Sequence, residues 1–530
     1  MNIWKQNTKA LNLIMKNHRS TPKKIMTDLR KLIKIKEPNI LFGHNQKMED
    51  PRDGLTLFGP LENNKPYGIR SGVIATKDGL RKFKDYLHLI QSPVFNANNV
   101  TRPVFPGFEA VFRMPWESNG IMHIELTNEE LGKVLFHEDT YNRTYDTVSL
   151  IANKIIAAQD EDTSADVWFV IIPDEVYQYC RPNSTLNKDL IQIKKTTTKT
   201  RAKKFISEPS LFQEDNKESE PYKYEANFHN QLKARLLLHS IPTQILREST
   251  LCPNEYLNAF GFPKRDFSKI MAHLAWTIST AAFYKTGGRP WKLADIREGV
   301  CYIGLVYKLD ERSGDSRNAC CAAQMFLDSG DGIVFKGAVG PWYNKKKGEF
   351  HLKGKQAKEL IGVAMETYLK KEGKPPKELF IHAKTKFNQE EWEGFSEAVT
   401  SETNLVGITI KTNVPLKIFR QESKFPMLRG LAYIENEKSA FLWSKGFVPR
   451  LETSMAMEVP NPLHITVSKG AIEIETVLSD ILALTKLNYN ACVYADGEPV
   501  TLRFADAIGE ILTAAPLGNM TPPLSFKFYI

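Results

Sequence analysis

Four side chains between positions 229 and 285 have the types and spacing to hold a terminal phosphate. His229 and Lys233 lie four apart in a stretch with helical patterning, so both emerge on one face, one turn apart. Gln244 follows at the start of a β-branched segment, and Lys285 closes a second amphipathic helix just before Gly287-Gly288. Lysine supplies charge, while glutamine and histidine supply directional hydrogen bonds, and a phosphate monoester needs both. The competing reading is an ordinary solvated helix face.

The elements around them read as α/β. IRSGVIATKDGLRKFKDYLHLIQ predicts a strand running into a helix capped by Thr76 or Asp78. TYDTVSLIANKIIAAQ predicts a helix and VWFVII a buried strand, and this alternation implies a parallel sheet covered on both faces. EPNILFGHNQKMEDPRDGLTLFGPL is expected to be a short strand followed by a structured loop, from Asp50-Pro51, Asp53-Gly54 and Gly59-Pro60. Between residues 183 and 220 the pattern lapses into basic KKTTTKTRAKK and acidic QEDNKESEP, expected to be an insertion or mobile loop outside the core. It is either a solvated linker or a contact to nucleic acid or a second copy of the complex.

From Val300, CYIGLVYK reads as a buried strand, NACCAAQMFLD as its hairpin neighbour and DGIVFKG as a third strand after an Asp331-Gly332 turn. A helix ending at Gly373 follows, then strands in ELFIHAKTKF, NLVGITIK, LRGLAYIE and SAFLWSKGF. The adjacent Cys320-Cys321 pair is most simply two small buried strand residues.

Composition narrows the function classes. The 530 residues are 42% hydrophobic and 25% charged, an ordinary globular balance. No apolar run approaches the ~18 residues a membrane span needs, and the N-terminus lacks a secretory pattern, so no membrane association is expected. Six scattered cysteines argue against zinc and against a disulfide framework, and fit a reducing cytoplasm. A net charge of +10 favours a polyanionic partner. Residues 1–35 form a basic extension, either a disordered arm or sequence upstream of a start at Met26, with no function assigned.

The spacing His-x3-Lys, then Gln, then Lys before Gly-Gly resembles the 5′-phosphate pocket in the MID domain of Argonaute proteins. YADGEPVTLRFADAIGEIL resembles the end of a PIWI domain. Over Glu37 to Ile530 the chain is similar to short prokaryotic Argonautes, most closely those paired with a TIR-APAZ protein in SPARTA-type systems. The resemblance implies a Rossmann-like MID domain over 36–295, with the insertion at about 183–220, and an RNase H-like PIWI domain over 296–530. It implies that His229, Lys233, Gln244 and Lys285 bind a guide 5′-phosphate. PPLSFKFYI is apolar enough to be a buried last strand, and the resemblance implies that a carboxylate at Ile530 shares a Mg²⁺ ion with the guide's first phosphates.

The resemblance also bears on catalysis. Two-metal cleavage needs several carboxylates in fixed register. Where the family has its first acid this chain has Val306, and where it has its second this chain has Ala383 followed by Lys384; only Asp506 stands at an acidic position. A nuclease-inactive PIWI domain is therefore expected, with regrouping of Asp310, Asp328, Asp331 and Glu390 into a metal site as the alternative. Lys384, Lys386, Arg429, Arg450 and Arg503 are candidates for contacts to the nucleic-acid backbone. The implied function is guide-RNA recognition of single-stranded DNA, activating a TIR-APAZ partner that hydrolyses NAD(P)⁺ in defence against plasmid or phage DNA. Within this chain no nicotinamide-binding motif is visible. An active guide-directed nuclease and a non-guided nucleic-acid-binding subunit remain the alternatives.

Overall fold

Val167–Ile172 reads VWFVII, apolar at every position, so it is stable only with both faces covered. In the computed structural model it is an interior strand of a four-stranded parallel sheet. The structure describes residues 31–96, 103–160, 164–310, 315–327, 330, 332–412, 414–419, 421, 425, 427–455, 458–516 and 523–530. Most of the basic extension, including Met26, and the residues Asp328 and Asp331 lie outside this set.

Lys31–Lys34 (β1) pairs antiparallel with Leu431–Ile434, so the end of the basic extension joins the second half of the chain. The first half holds Ser71–Ala75 (β2), Met122–Glu125 (β3), Val167–Ile172 (β4) and Thr243–Arg247 (β5). Their order is β3-β2-β4-β5, all parallel. Pro51–Phe58 (α1) is a helix, where the sequence reading expected a loop. Asp50 caps it by accepting from the Arg52 amide, and Pro51 sits in the first turn, where its missing N–H costs nothing. Lys77–Ile90 (α2) is capped by Thr76, which accepts from the Gly79 amide. Thr140–Gln159 (α3) covers the other face, packing Val148, Ile151 and Ile155 over Trp168 and Val170.

The expected loop at 183–220 is also corrected. It contains two helices, Lys199–Ser207 (α4) and Gln213–Ser219 (α5), that bury Ala202 and Ser219 and pair Arg201 with Asp215 at 2.9 Å. Opposite charge on the two segments is what joins them. Phe228–Leu237 (α6) and Met271–Lys285 (α7) then flank β5. The sequence reads α7 as amphipathic, yet Ile278 through Lys285 are all buried, so it is a core helix.

The second half builds on Val300–Leu309 (β6), Ala319–Leu327 (β7) and Gly332–Gly340 (β8), joined antiparallel. Gly354–Glu372 (α8) leads to Glu378–Ala383 (β9), parallel to β6 and to Asn404–Lys411 (β10). Leu431–Asn436 (β11), Ser439–Trp443 (β12) and Leu463–Lys469 (β13) extend the sheet. Val500–Arg503 (α9) and Ala505–Thr513 (α10) pack on β6, and Leu524–Ser525 (β14) pairs with β8. The ten strands run β1-β11-β12-β13-β10-β9-β6-β7-β8-β14. The expected terminal strand is thus only two residues long, and a 3-10 turn at Phe526–Phe528 carries the chain on to a buried Ile530. One continuous apolar core includes Val73 and Phe83 of the first half and Tyr302 and Leu482 of the second.

Candidate nucleic-acid site

α6 and α7 approach the start of β5 from different directions, and their two lysines meet there. Lys233 Nζ donates to the main-chain oxygens of Ile530 at 2.7 Å and Thr243 at 3.4 Å. Lys285 Nζ donates to the same Thr243 oxygen at 3.0 Å and to Gln244 Oε1. Lys285 and Gln244 are therefore joined directly, Lys233 meets Lys285 through the Thr243 oxygen, and Ile530 is brought to them from the far end of the chain. His229, one turn before Lys233, feels the charge of both lysines and holds Asn230 Oδ1 at 3.1 Å through Nδ1.

Both ammonium groups are buried, at 3% and 1% exposure, and among the described residues no side-chain carboxylate balances them. Burial pushes Lys233 down to about 7. Burial, with the charge of Lys233 beside it, pushes Lys285 well below the usual lysine range. Burial and then the Lys233 and Lys285 charges push His229 down to about 4. Lys233 has the Ile530 oxygen beside it, but two buried like charges are still costly together, and an entering anion lowers that cost. Among the described residues no side-chain cluster could hold a metal ion, and the Ile530 oxygen is already taken by Lys233. As they stand, these residues suit an anion; the magnesium ion expected from the resemblance would draw on the Ile530 oxygen together with the guide's own phosphates.

Beside His229 lies a cavity of about 550 Å³ lined by Ile172, Tyr177, Arg181, Phe228 and Arg247 among others. The Tyr177 ring lies 4.4 Å from the Arg247 guanidinium and 5.5 Å from that of Arg181. These planar groups, absent from the sequence reading, have a legible signal: they follow or end the adjacent parallel strands β4 and β5, at the carboxyl edge where open α/β sheets bind ligands.

A second group of predicted positions gathers on the large sheet. Gly304 of β6 faces His382 of β9 in register, which puts Ala383, the last residue of β9, close to Val306 inside β6, both buried. α10 lies over them: a Cβ at Gly509 would stand 3.4 Å from Val306 Cγ1. Lys384 Nζ lies 3.1 Å from Asp506 Oδ2, with both side chains exposed. Behind this spot His382 Nδ1 meets Thr501 Oγ1 at 2.9 Å, and complete burial pushes His382 down to about 3. Arg503 is half exposed, 3.6 Å from Asp496, and Lys386 is exposed. Arg450 pairs with Asp53. Arg429 is not available to a backbone: it is 2% exposed and bonds Glu37 at 3.0 Å and Thr485 at 2.8 Å.

No protein-family model and no curated protein matches this sequence. Among solved structures the fold is similar to Clostridium butyricum Argonaute bound to a guide DNA and a 19-mer target DNA, with a TM-score of 0.59 at 15% identity. That match covers 97% of this chain and 56% of the other. Aquifex aeolicus Argonaute matches with a TM-score of 0.51 at 15% identity, covering 94% and 57%. Drosophila Piwi matches with a TM-score of 0.55 at 13% identity, covering 94% and 56%. The fold is thus Argonaute-like, MID and PIWI in type, in a chain little more than half the length of these proteins.

Proposed function

We propose that this chain is a guide-loaded sensor: it grips the phosphorylated 5′ end of a short RNA and pairs that guide with single-stranded DNA without cutting it. The observation that carries the reading is the pair of buried lysines, Lys233 and Lys285, meeting at Thr243 with no balancing side-chain carboxylate among the described residues. A phosphate there would accept charge-assisted hydrogen bonds from both, with Gln244 alongside. The neighbouring cavity with Tyr177, Arg181 and Arg247 offers planar groups for the first base. Lys384 and Arg503 are exposed cations on the large-sheet half that could run along a duplex backbone, since an exposed pair such as Lys384–Asp506 is weak and readily exchanged.

Support for silence of the nuclease is the chemistry at the three gathered positions. Valine and alanine side chains cannot ligate a metal, and the one acid among them, Asp506, cannot by itself hold a pair of metal ions. A separate TIR-APAZ chain that hydrolyses NAD(P)⁺ on target binding, in a cytoplasmic defence complex, is the partner this reading takes from the resemblance.

Replacing both Lys233 and Lys285 by alanine tests the reading. The expected outcome is loss of the preference for 5′-phosphorylated over 5′-hydroxyl RNA, by about tenfold or more, since hydrogen bonds to charged groups are worth roughly 1.5–3 kcal/mol each. Even weakening toward both RNAs would leave a general binder instead. Cleavage of a complementary strand by loaded protein with Mn²⁺ would overturn the silent-nuclease half.

A further inference from the structure

The chain between β5 and α7 leaves the body of the protein and returns, and its tip has no place in the pocket chemistry. Residues 256–264 form a hairpin in which Lys264 N donates to Tyr256 O at 2.8 Å and Asn258 N to Phe262 O at 2.7 Å. Gly261 takes a φ of +78° at the turn, a conformation glycine adopts without strain. The Asn258 side chain accepts from the amides of both Phe260 and Phe262, at 2.9 and 3.2 Å, so the tip is braced from inside. The base is anchored as well: Tyr256 Oη donates to Glu248 Oε2 at 3.1 Å and accepts from Lys82 Nζ at 3.0 Å.

This braced tip presents apolar groups to water. Phe260 is 85% exposed, Phe262 68% and Leu257 50%. Lys264 and Arg265 follow directly and are exposed, while the nearby acids are engaged, Glu255 by Arg81 at 2.9 Å and Asp266 by Lys269 at 3.0 Å. The local balance around the two rings is therefore positive. Rings standing clear of the surface beside cations are what unpaired bases on a phosphate backbone require, because each base has a stacking face and each phosphate a charge. Bracing before contact reduces the ordering cost of binding.

We propose that the 256–264 hairpin is a second nucleic-acid contact, a stacking platform for single-stranded bases with Lys264 and Arg265 on the adjoining phosphates. Its base is fixed through Glu248, next in sequence to Arg247 of the end cavity, while α7, 15 residues or about 22 Å of helix at 1.5 Å per residue, runs between the hairpin and Lys285. The proposal assumes that the chain binds nucleic acid, but it does not depend on the phosphate pocket.

The test uses the full chain and a 5′-hydroxyl oligothymidylate, which gives the end pocket nothing to grip, followed by fluorescence anisotropy. Because both rings are exposed, F260A/F262A should fold normally and bind this probe about tenfold or more weakly. F260W/F262W should bind at least as tightly as the parent. K264A/R265A should lower the salt dependence of binding by about two phosphate contacts. Repeating the titration with a 5′-phosphorylated RNA already loaded separates the sources: persistence of the effect assigns the platform to the target strand, and its disappearance to the guide. In either case the 5′-phosphate preference should survive F260A/F262A, whereas K233A/K285A should remove that preference and leave the effect of the rings. Unchanged probe affinity in F260A/F262A, or loss of a bound protein partner with nucleic-acid affinity intact, would overturn the proposal.

Discussion

At the scale of single residues the pocket is defined by where its protons sit. In the empty chain Lys233 titrates at about 7, against an ordinary 10.5, because burial disfavours its ammonium form. Its folded value is lowered, so between about 7 and 10.5 an unfolded chain binds the proton that the folded chain has lost, and this group adds stability as pH rises through that window. Phosphate binding works in the opposite direction, since an anion against Lys233 and Lys285 favours the charged forms and binding takes up protons. The phosphate itself loses its second charge below about pH 6. The preference for a 5′-phosphorylated end should therefore be greatest at about pH 6–7 and decline above that by up to about tenfold per unit for each lysine that must take up a proton, while affinity for a 5′-hydroxyl end changes much less. Competition titrations of the two RNAs across this range would show it, and a flat ratio would mean that the lysines carry no phosphate.

At the scale of elements, the short helix α9 is locked onto β6 by one missing side chain. A Cβ at Gly304 would stand 1.9 Å from the Thr501 carbonyl oxygen, closer than any real contact. Thr501 also holds His382 through its hydroxyl and receives Gln324 Nε2 at 3.2 Å on its carbonyl, so α9 cannot shift without exposing buried polar groups. Gly304→Ala should cost about 1–3 kcal/mol, the usual penalty for overpacking, and lower the melting temperature by about 1–3 °C. A melting temperature equal to the parent's would show that α9 can move away freely. The same glycine shows what the sequence made legible. The strands in VWFVII, CYIGLVYK and ELFIHA announce themselves by their apolar runs, and so do the parallel pairings that follow from alternation with helices. The role of Gly304 was not legible, because its partner lies almost 200 positions away. Nor were α4 and α5 legible, whose polar surfaces are held by Arg201–Asp215 and by packing on a neighbouring turn instead of an apolar stripe of their own. α1 was misread because Asp-Pro and Asp-Gly pairs signal turns as readily as a helix start. Of the pocket, the lysines were visible by spacing, while Tyr177 and Arg247 come together only once β4 and β5 lie side by side.

At the scale of the molecule, the pocket belongs to both halves at once. Lys233, Gln244 and Lys285 come from the first half, yet Lys233 makes its shortest contact with Ile530, which arrives from the large sheet through β14 and the turn after it. A second link runs from the amide of Glu225, just before α6, to the Ala514 oxygen at 2.9 Å, just after α10. The helix that carries Lys233 is thus tied at its start to the helix that carries Asp506. Buried Glu37 does the same on the far side, bonding Arg429 and, at 2.7 Å, Lys486. Such a shared pocket should respond to loss of the chain's last residues as a specific lesion. A protein ending at Phe526 keeps β14 but removes the oxygen that orients the Lys233 ammonium, so the phosphorylated end should lose about tenfold in affinity, ~1.4 kcal/mol. The hairpin's affinity for a 5′-hydroxyl oligothymidylate should be unchanged. Calorimetric titration of both ligands against parent and truncated chains measures the difference, and equal losses toward the two would mean that truncation damages the fold as a whole and that Ile530 has no particular part in the pocket.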